Sequence, residues 1–194
     1  LGVLLLMGLV DLYRRRRVAG RRREYAFLLL GGAVGAAFGL LNDSFVTSRI
    51  SPDYFELGKG VAGGEGFGRR VAWLGLQAGL GPGIIAGAVY LYVNTRQSGR
   101  PSLPLSSLVL QLWKPLLLAV FFGLLLPLSF GSRDPLDFRP VLDRVIAAGA
   151  TRAFLRVWWI HVGLYLGMLA GLAWGAVSIH LERRTLPSGS GSVR

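Results

Sequence analysis

Apolar residues in this chain do not alternate with polar ones; they run together in long blocks separated by short polar stretches. Five blocks can be drawn: Leu1–Tyr13, about Tyr25–Leu41, Val71–Val93, roughly Leu105–Phe130, and Val157–His180. A helix that crosses a hydrocarbon layer needs about 20 such residues. The last four blocks reach or approach that length, and each predicts a membrane-spanning helix. The first reaches only about 20 Å at ~1.5 Å per residue, so it predicts a partial span. The chain begins with Leu, which suggests that part of this helix lies upstream or was removed. Its basic residues follow the apolar stretch, whereas a signal peptide carries them in front. The expected fold is all-α and integral to a membrane: a bundle of five transmembrane helices, the first partial, with short amphipathic surface helices in the outer loops. The expected organisation is a partial span over 1–13 and a basic linker over 14–24. A four-helix bundle follows over 25–185, built as hairpins 25–93 and 105–180, and then a flexible Ser/Gly-rich tail over 186–194.

Within the blocks, glycines recur at every fourth position. One ladder is Gly31, Gly35 and Gly39; a second is Gly75, Gly79, Gly83 and Gly87; a third is Gly163, Gly167, Gly171 and Gly175. Glycine inside a helix costs about 1 kcal/mol relative to alanine in water. In a bilayer the same spacing makes a groove along one helix face that lets a second backbone approach closely. These eleven positions are the expected helix-packing sites, directed at neighbouring helices and partner subunits.

The two longer polar stretches carry local signals. In the first, Ser51-Pro52-Asp53 is a helix start: Ser caps, Pro suits the first helical position, and Asp favours the positive end of the dipole. Gly58 and Gly60 should stop that helix after about two turns. Tyr54, Phe55 and Leu57 are expected to face the membrane surface or a partner. In the second, Pro140 can start another short helix, with Val141, Leu142, Val145 and Ile146 on one face and Gly149 at its end. Tyr54, Phe55 and Phe138 are the expected partner-docking residues.

Charge sets the orientation. The net charge is +12, which raises the question of nucleic acid. However, Arg14, Arg15, Arg16, Arg17, Arg21, Arg22 and Arg23 all fall between the first two apolar blocks. Such a cluster marks the cytoplasmic side and suits lipid head groups, so no nucleic-acid partner is expected. Residues 42–70 and 131–156 are then outside, with 94–104 and the C-terminus inside.

Candidate chemistry is sparse. The chain has no cysteine, which removes disulfides and thiolate sites. Its two histidines, His161 and His180, are nineteen residues apart on one expected helix, or about 28 Å, and cannot share a metal. No metal site, catalytic residue or firmly bound cofactor is expected. The exception considered is one-sided ligation of a pigment or haem by His161, beside Trp158 and Trp159. Asn42 and Asp43 lie at the outer boundary and complete the candidate ligand contacts. Gln77 is the main polar residue deep in a span, and Lys114 sits near the inner end of the fourth block, where it can snorkel.

Asn42-Asp43, Ile50-Ser51-Pro52-Asp53-Tyr54-Phe55, Phe154-Leu155-Arg156-Val157 and His161…Tyr165-Leu166-Gly167 carry a resemblance. Over residues 26–180 the chain resembles a family of uncharacterised bacterial integral membrane proteins. That family has an "HDQ-T-x-x-ISPEYF" loop and a later "RVGxMHNxSYLGG" helix. Here Asn42 stands where the family has His, and Val162-Gly163-Leu164 replaces its Asn-x-Ser. The resemblance implies a multi-pass protein of the bacterial inner membrane.

The functional expectation is a non-catalytic accessory subunit of a larger membrane complex, of respiratory or photosynthetic type. Its partners would be membrane lipids and other integral membrane subunits. The alternative is a small transporter or lipid-handling protein with a site near Asn42, Asp43 and His161.

Overall fold

The computed structural model describes residues 19–95, 101–131, 133–134, 136–147 and 149–186. The expected partial span over 1–13, the arginines at 14–17 and the tail from 187 onward lie outside the described residues. All regular structure among the described residues is helical. Helix α1 covers Ala19–Leu41 and runs on through a π-helical turn, Asn42–Thr47, and one last α turn, Ser48–Ile50. Then come α2 (Pro52–Lys59), α3 (Phe67–Val93), α4 (Leu105–Val109), α5 (Trp113–Phe130), α6 (Arg139–Val145) and α7 (Ala150–Thr185). Four stretches are long and apolar enough to cross a membrane: Arg22–Ile50, Phe67–Val93, Leu105–Phe130 and Ala150–Thr185.

The long helices pack as two pairs, α1 with α3 and α5 with α7, with far fewer contacts between the pairs. The glycines explain the pairing. A methyl added at Gly31 would lie 2.7 Å from the Gly83 carbonyl oxygen. Methyls at Gly35 and Gly39 would collide with the carbonyls of Gly79 and Gly75, and the reverse clashes hold from α3. The first ladder therefore lies against the second, backbone on backbone. On α7, Gly163, Gly167 and Gly171 meet the backbone of α5 at Phe122, Leu118 and Lys114, while Gly175 receives the Tyr90 hydroxyl from α3. The ladders, expected to reach partner subunits as well as neighbouring helices, are taken up within the chain at these positions.

Two hydrophobic clusters close the ends. At the end of the long loops, Tyr54, Phe55, Val71, Leu142, Phe154, Leu155 and Val157 form one core. At the opposite end, Phe27, Tyr90, Leu108, Leu112 and Ile179 form another. Polar side chains tie that second end. Arg183, buried, donates to the carbonyls of Val93 at 2.6 Å and Pro101 at 3.3 Å. Asn94 and Leu103 exchange two hydrogen bonds at 2.9 and 2.8 Å. Pro115 has no N–H to give the Gln111 carbonyl; the Tyr90 hydroxyl donates there instead, at 3.4 Å. Lys114 does not snorkel. Its ammonium donates to Ser178 at 2.6 Å and lies 4.8 Å from the Trp174 ring centroid.

The local signals around α2 appear as expected. The Ser51 hydroxyl accepts from the Tyr54 amide, Pro52 opens the helix, and Gly60 ends it in the left-handed conformation with φ 67°. The faces differ from expectation. Tyr54 is 5% exposed and Phe55 0%, because the short helix folds down onto α7 and α3 with its aromatic side inward. They form core here instead of an exposed docking surface. Phe138 is half-buried and packs edge-on against Trp158, ring centroids 5.9 Å apart. In α6 only Leu142 is buried, while Val141 and Val145 remain exposed. Gly149, with φ 89°, opens α7 rather than ending α6, which stops at Val145. Gln77 is exposed on the outer side of α3.

Candidate functional site

The candidate site forms where α1 gives way to its π-helical turn. A π turn holds one residue more than an α turn and recurs at functional sites. Widening loosens the backbone hydrogen bonding. The Thr47 hydroxyl compensates by donating to the Asn42 carbonyl at 3.2 Å, and the Ser48 hydroxyl by donating to the Ser44 carbonyl at 3.1 Å. The turn also aims Asp43 inward. Its residue is 6% exposed and Thr47 is 0% exposed, although a solvated boundary carboxylate is the simpler expectation from sequence.

Three polar groups converge on one oxygen of Asp43. Oδ1 accepts from the Asn42 amide at 2.8 Å, lies 3.4 Å from the Thr47 hydroxyl, whose single proton it shares with the Asn42 carbonyl, and faces His161 Nε2 at 3.3 Å. The other ring nitrogen of His161, Nδ1, faces the Val157 carbonyl at 2.9 Å. Tyr54 covers the ring face in a stacked arrangement, centroids 4.8 Å apart and planes 21° apart. Phe55 meets the ring edge-on at 6.2 Å. Burial first, and then the neighbouring Tyr165 and Asp43, push the Tyr54 phenol well above the ordinary tyrosine range. Tyr54 is therefore a neutral lid over the pair at any working pH.

This cluster closes one end of a cleft between the two helix pairs. The cleft has a volume of about 130 Å³. Its walls include glycine and alanine positions of α1 and α3, with Leu116 and Ala119 of α5 and Met168 of α7. Asn42, Asp43, Lys59, His161 and Tyr165 supply its polar groups. Pro82 lies in the wall one turn beyond Ala78. Having no N–H, it cannot bond the Ala78 carbonyl as the next helical turn normally would.

Of the residues singled out from sequence, Asn42, Asp43 and His161 come together, Asp43 and His161 across 118 positions of chain. Trp158 and Trp159 do not join them. They pack on each other at 4.9 Å, and Trp159 donates to the Arg133 carbonyl at 3.1 Å. Arg22 and Arg23 are exposed at the start of α1. His180 is exposed, far along α7 from His161. One-sided ligation by His161 would have to compete with partners already held by both ring nitrogens. Among the described residues no group of three or more His, Cys, Asp or Glu is placed to hold a metal ion. Thr47, Lys59 and the stacking role of Tyr54 are additions that the structure makes to the sequence reading. Asp43 and Thr47 are four apart in sequence, and that spacing is the available signal for Thr47.

No family model matches the chain, and no curated protein or solved structure gives a significant match.

Proposed function

We propose that this chain is a multi-pass protein of the bacterial inner membrane that admits an amphiphile into the cleft between its helix pairs. The apolar portion would lie along the small-residue walls and the polar head at Asn42, Asp43 and His161. The observation that carries this is an apolar cleft ending on a buried, hydrogen-bonded Asp–His pair. Apolar walls with a few convergent polar groups are the usual form of a small-molecule site. From Gly31 to Asp43 the wall extends about 18 Å along α1, long enough to lie against a lipid chain, of which the cleft's own volume would take only a part. The proposal assigns no bond-making step. An accessory-subunit role has less support, since the aromatics and glycines invoked for docking are engaged inside the chain.

The test is retention of lipid. Protein purified from bacterial membranes in mild detergent should carry a defined lipid, identified by extraction and mass spectrometry. Ala78→Trp, which fills the cleft wall, should lower its stoichiometry by about tenfold, the effect of losing about 1.4 kcal/mol. Equal lipid content in both proteins would remove the proposal.

Five spans, counting residues 1–13, would place the arginine cluster and the C-terminus in the cytoplasm and the Asp43–His161 end outside. Exposed Glu65 replaced as Glu65→Cys should then label with an impermeant reagent in intact cells, and Ser102→Cys, also at an exposed position, should not. The opposite pattern would invert the orientation without touching the cleft.

A further inference from the structure

At the polar end of the cleft, Asp43 and His161 are buried and face each other. They form a floor. The groups that a ligand meets above it are Lys59, which is exposed, and Tyr165, 46% exposed; both line the cleft. Tyr165 lies one helical turn along α7 from His161, and its hydroxyl makes no hydrogen bond among the described residues. Lys59 is set in an unusual way for a surface lysine. Glu56, one turn earlier on α2, is its ordinary helical partner, yet the Glu56 carboxylate lies against Gly63 in the following loop. Lys59 forms no ion pair with a described carboxylate. Its Nζ is instead 5.6 Å from the Tyr54 ring centroid, a range at which an aromatic face attracts a cation. Tyr54 is the lid on His161, so the ammonium is drawn over the cleft's polar end.

We infer that the amphiphile of this cleft is a glycerophospholipid whose phosphate is bound by the Lys59 ammonium and the Tyr165 hydroxyl. This rests on the reading of the cleft as an amphiphile site and adds the chemistry of the head. An ammonium carries three donors. The Tyr54 ring face occupies one, which leaves two for acceptor oxygens, and the phenol supplies a further donor. A phosphodiester meets them with charged oxygens, and lysine binds phosphate as a point charge. A head with hydroxyls alone would leave the ammonium without a counter-charge.

Among the described lining residues the one carboxylate, Asp43, is buried and engaged by Asn42 and His161. The charge within a ligand's reach is therefore that of Lys59. Binding there needs no opening of the loop-end core, since Lys59 and Tyr165 are already accessible while Tyr54 and Phe55 stay packed. Inorganic phosphate would find the same two donors but would leave the apolar walls unfilled, and those walls select for a lipid.

The test compares two lipids that share their chains and differ in the phosphate head. The full chain, delipidated in a neutral alkyl-glycoside detergent, is offered dioleoyl-phosphatidylglycerol and dioleoylglycerol in equal amounts. Excess lipid is removed by gel filtration, and the retained lipid is counted by mass spectrometry. Wild type should prefer the phospholipid by at least about tenfold, the scale of one charge-assisted hydrogen bond. Lys59→Gln should bring the preference close to parity, and Tyr165→Phe, which removes only the hydroxyl, should lower it about threefold. Arg49→Gln removes an exposed cation at the same end that does not line the cleft, and it should leave the preference unchanged. Excess inorganic phosphate should not release the bound lipid. Equal retention of both lipids by wild type, with Ala78→Trp expelling both, overturns this inference and leaves the cleft reading standing; retention of neither removes the two together. A preference that survives Lys59→Gln, one that falls as far with Arg49→Gln, or release by phosphate alone also overturns it.

Discussion

Replacing Gly79 with leucine is expected to separate α1 from α3 and leave no stable first helix pair. The Gly79 position meets the carbonyl of Gly35 on the facing backbone, and a side chain there has nowhere to turn. Overpacking a core of side chains costs typically about 1–3 kcal/mol because rotamers can adjust. Here the obstacle is main chain held in its own helix, so the cost should reach or exceed the top of that range. Gly81 is the internal control. It lies two residues along the same helix, and an added carbon there meets nothing within 4 Å. Gly81→Leu should melt close to wild type in detergent while Gly79→Leu should not yield a cooperative transition. Equal melting of the two variants would mean that the close approach of α1 and α3 contributes nothing.

The second large effect is expected at Phe55. Its side chain is fully buried between Tyr54, His161 and the loop-end core. Truncation of a buried phenylalanine to alanine costs about 3–5 kcal/mol. Phe55→Ala should therefore lower the melting temperature of the isolated protein sharply, while Leu57→Ala, 51% exposed, should leave it almost unchanged. If Phe55→Ala instead melted normally and lost only association with other membrane proteins, the residue would be a docking contact and not part of the core.

Both predictions touch the boundary between what local sequence determines and what it does not. The span-length apolar blocks, the cap at Ser51 and the stop at Gly60 are local matters, governed by a few neighbouring residues, and they can be read directly. The start of α7 is harder to place, because Gly149 suits the end of one helix and the beginning of the next equally well. Tyr54 and Phe55 look like interfacial aromatics to any rule that counts only sequence neighbours. Their inward direction depends on α2 folding onto α7, about a hundred residues downstream. Asp43 stands out in the sequence, but its burial requires two things invisible in the pattern: a widened turn that re-aims it, and a histidine delivered from the other helix pair. Motif resemblance draws attention to Asn42 and His161 together, without any geometric reason for their meeting.

The backbone-on-backbone contacts also decide how the molecule can deform. Each pair is locked by main-chain atoms that have no alternative rotamers, so it behaves as a rigid slab. The seam between slabs has sparse contacts and a lengthwise gap. Tightly packed units joined by such a seam move by hinge and shear rather than by bending internally. The packing therefore opposes bending within a slab most strongly, and the two slabs are tied to each other chiefly through the buried cores at the two ends.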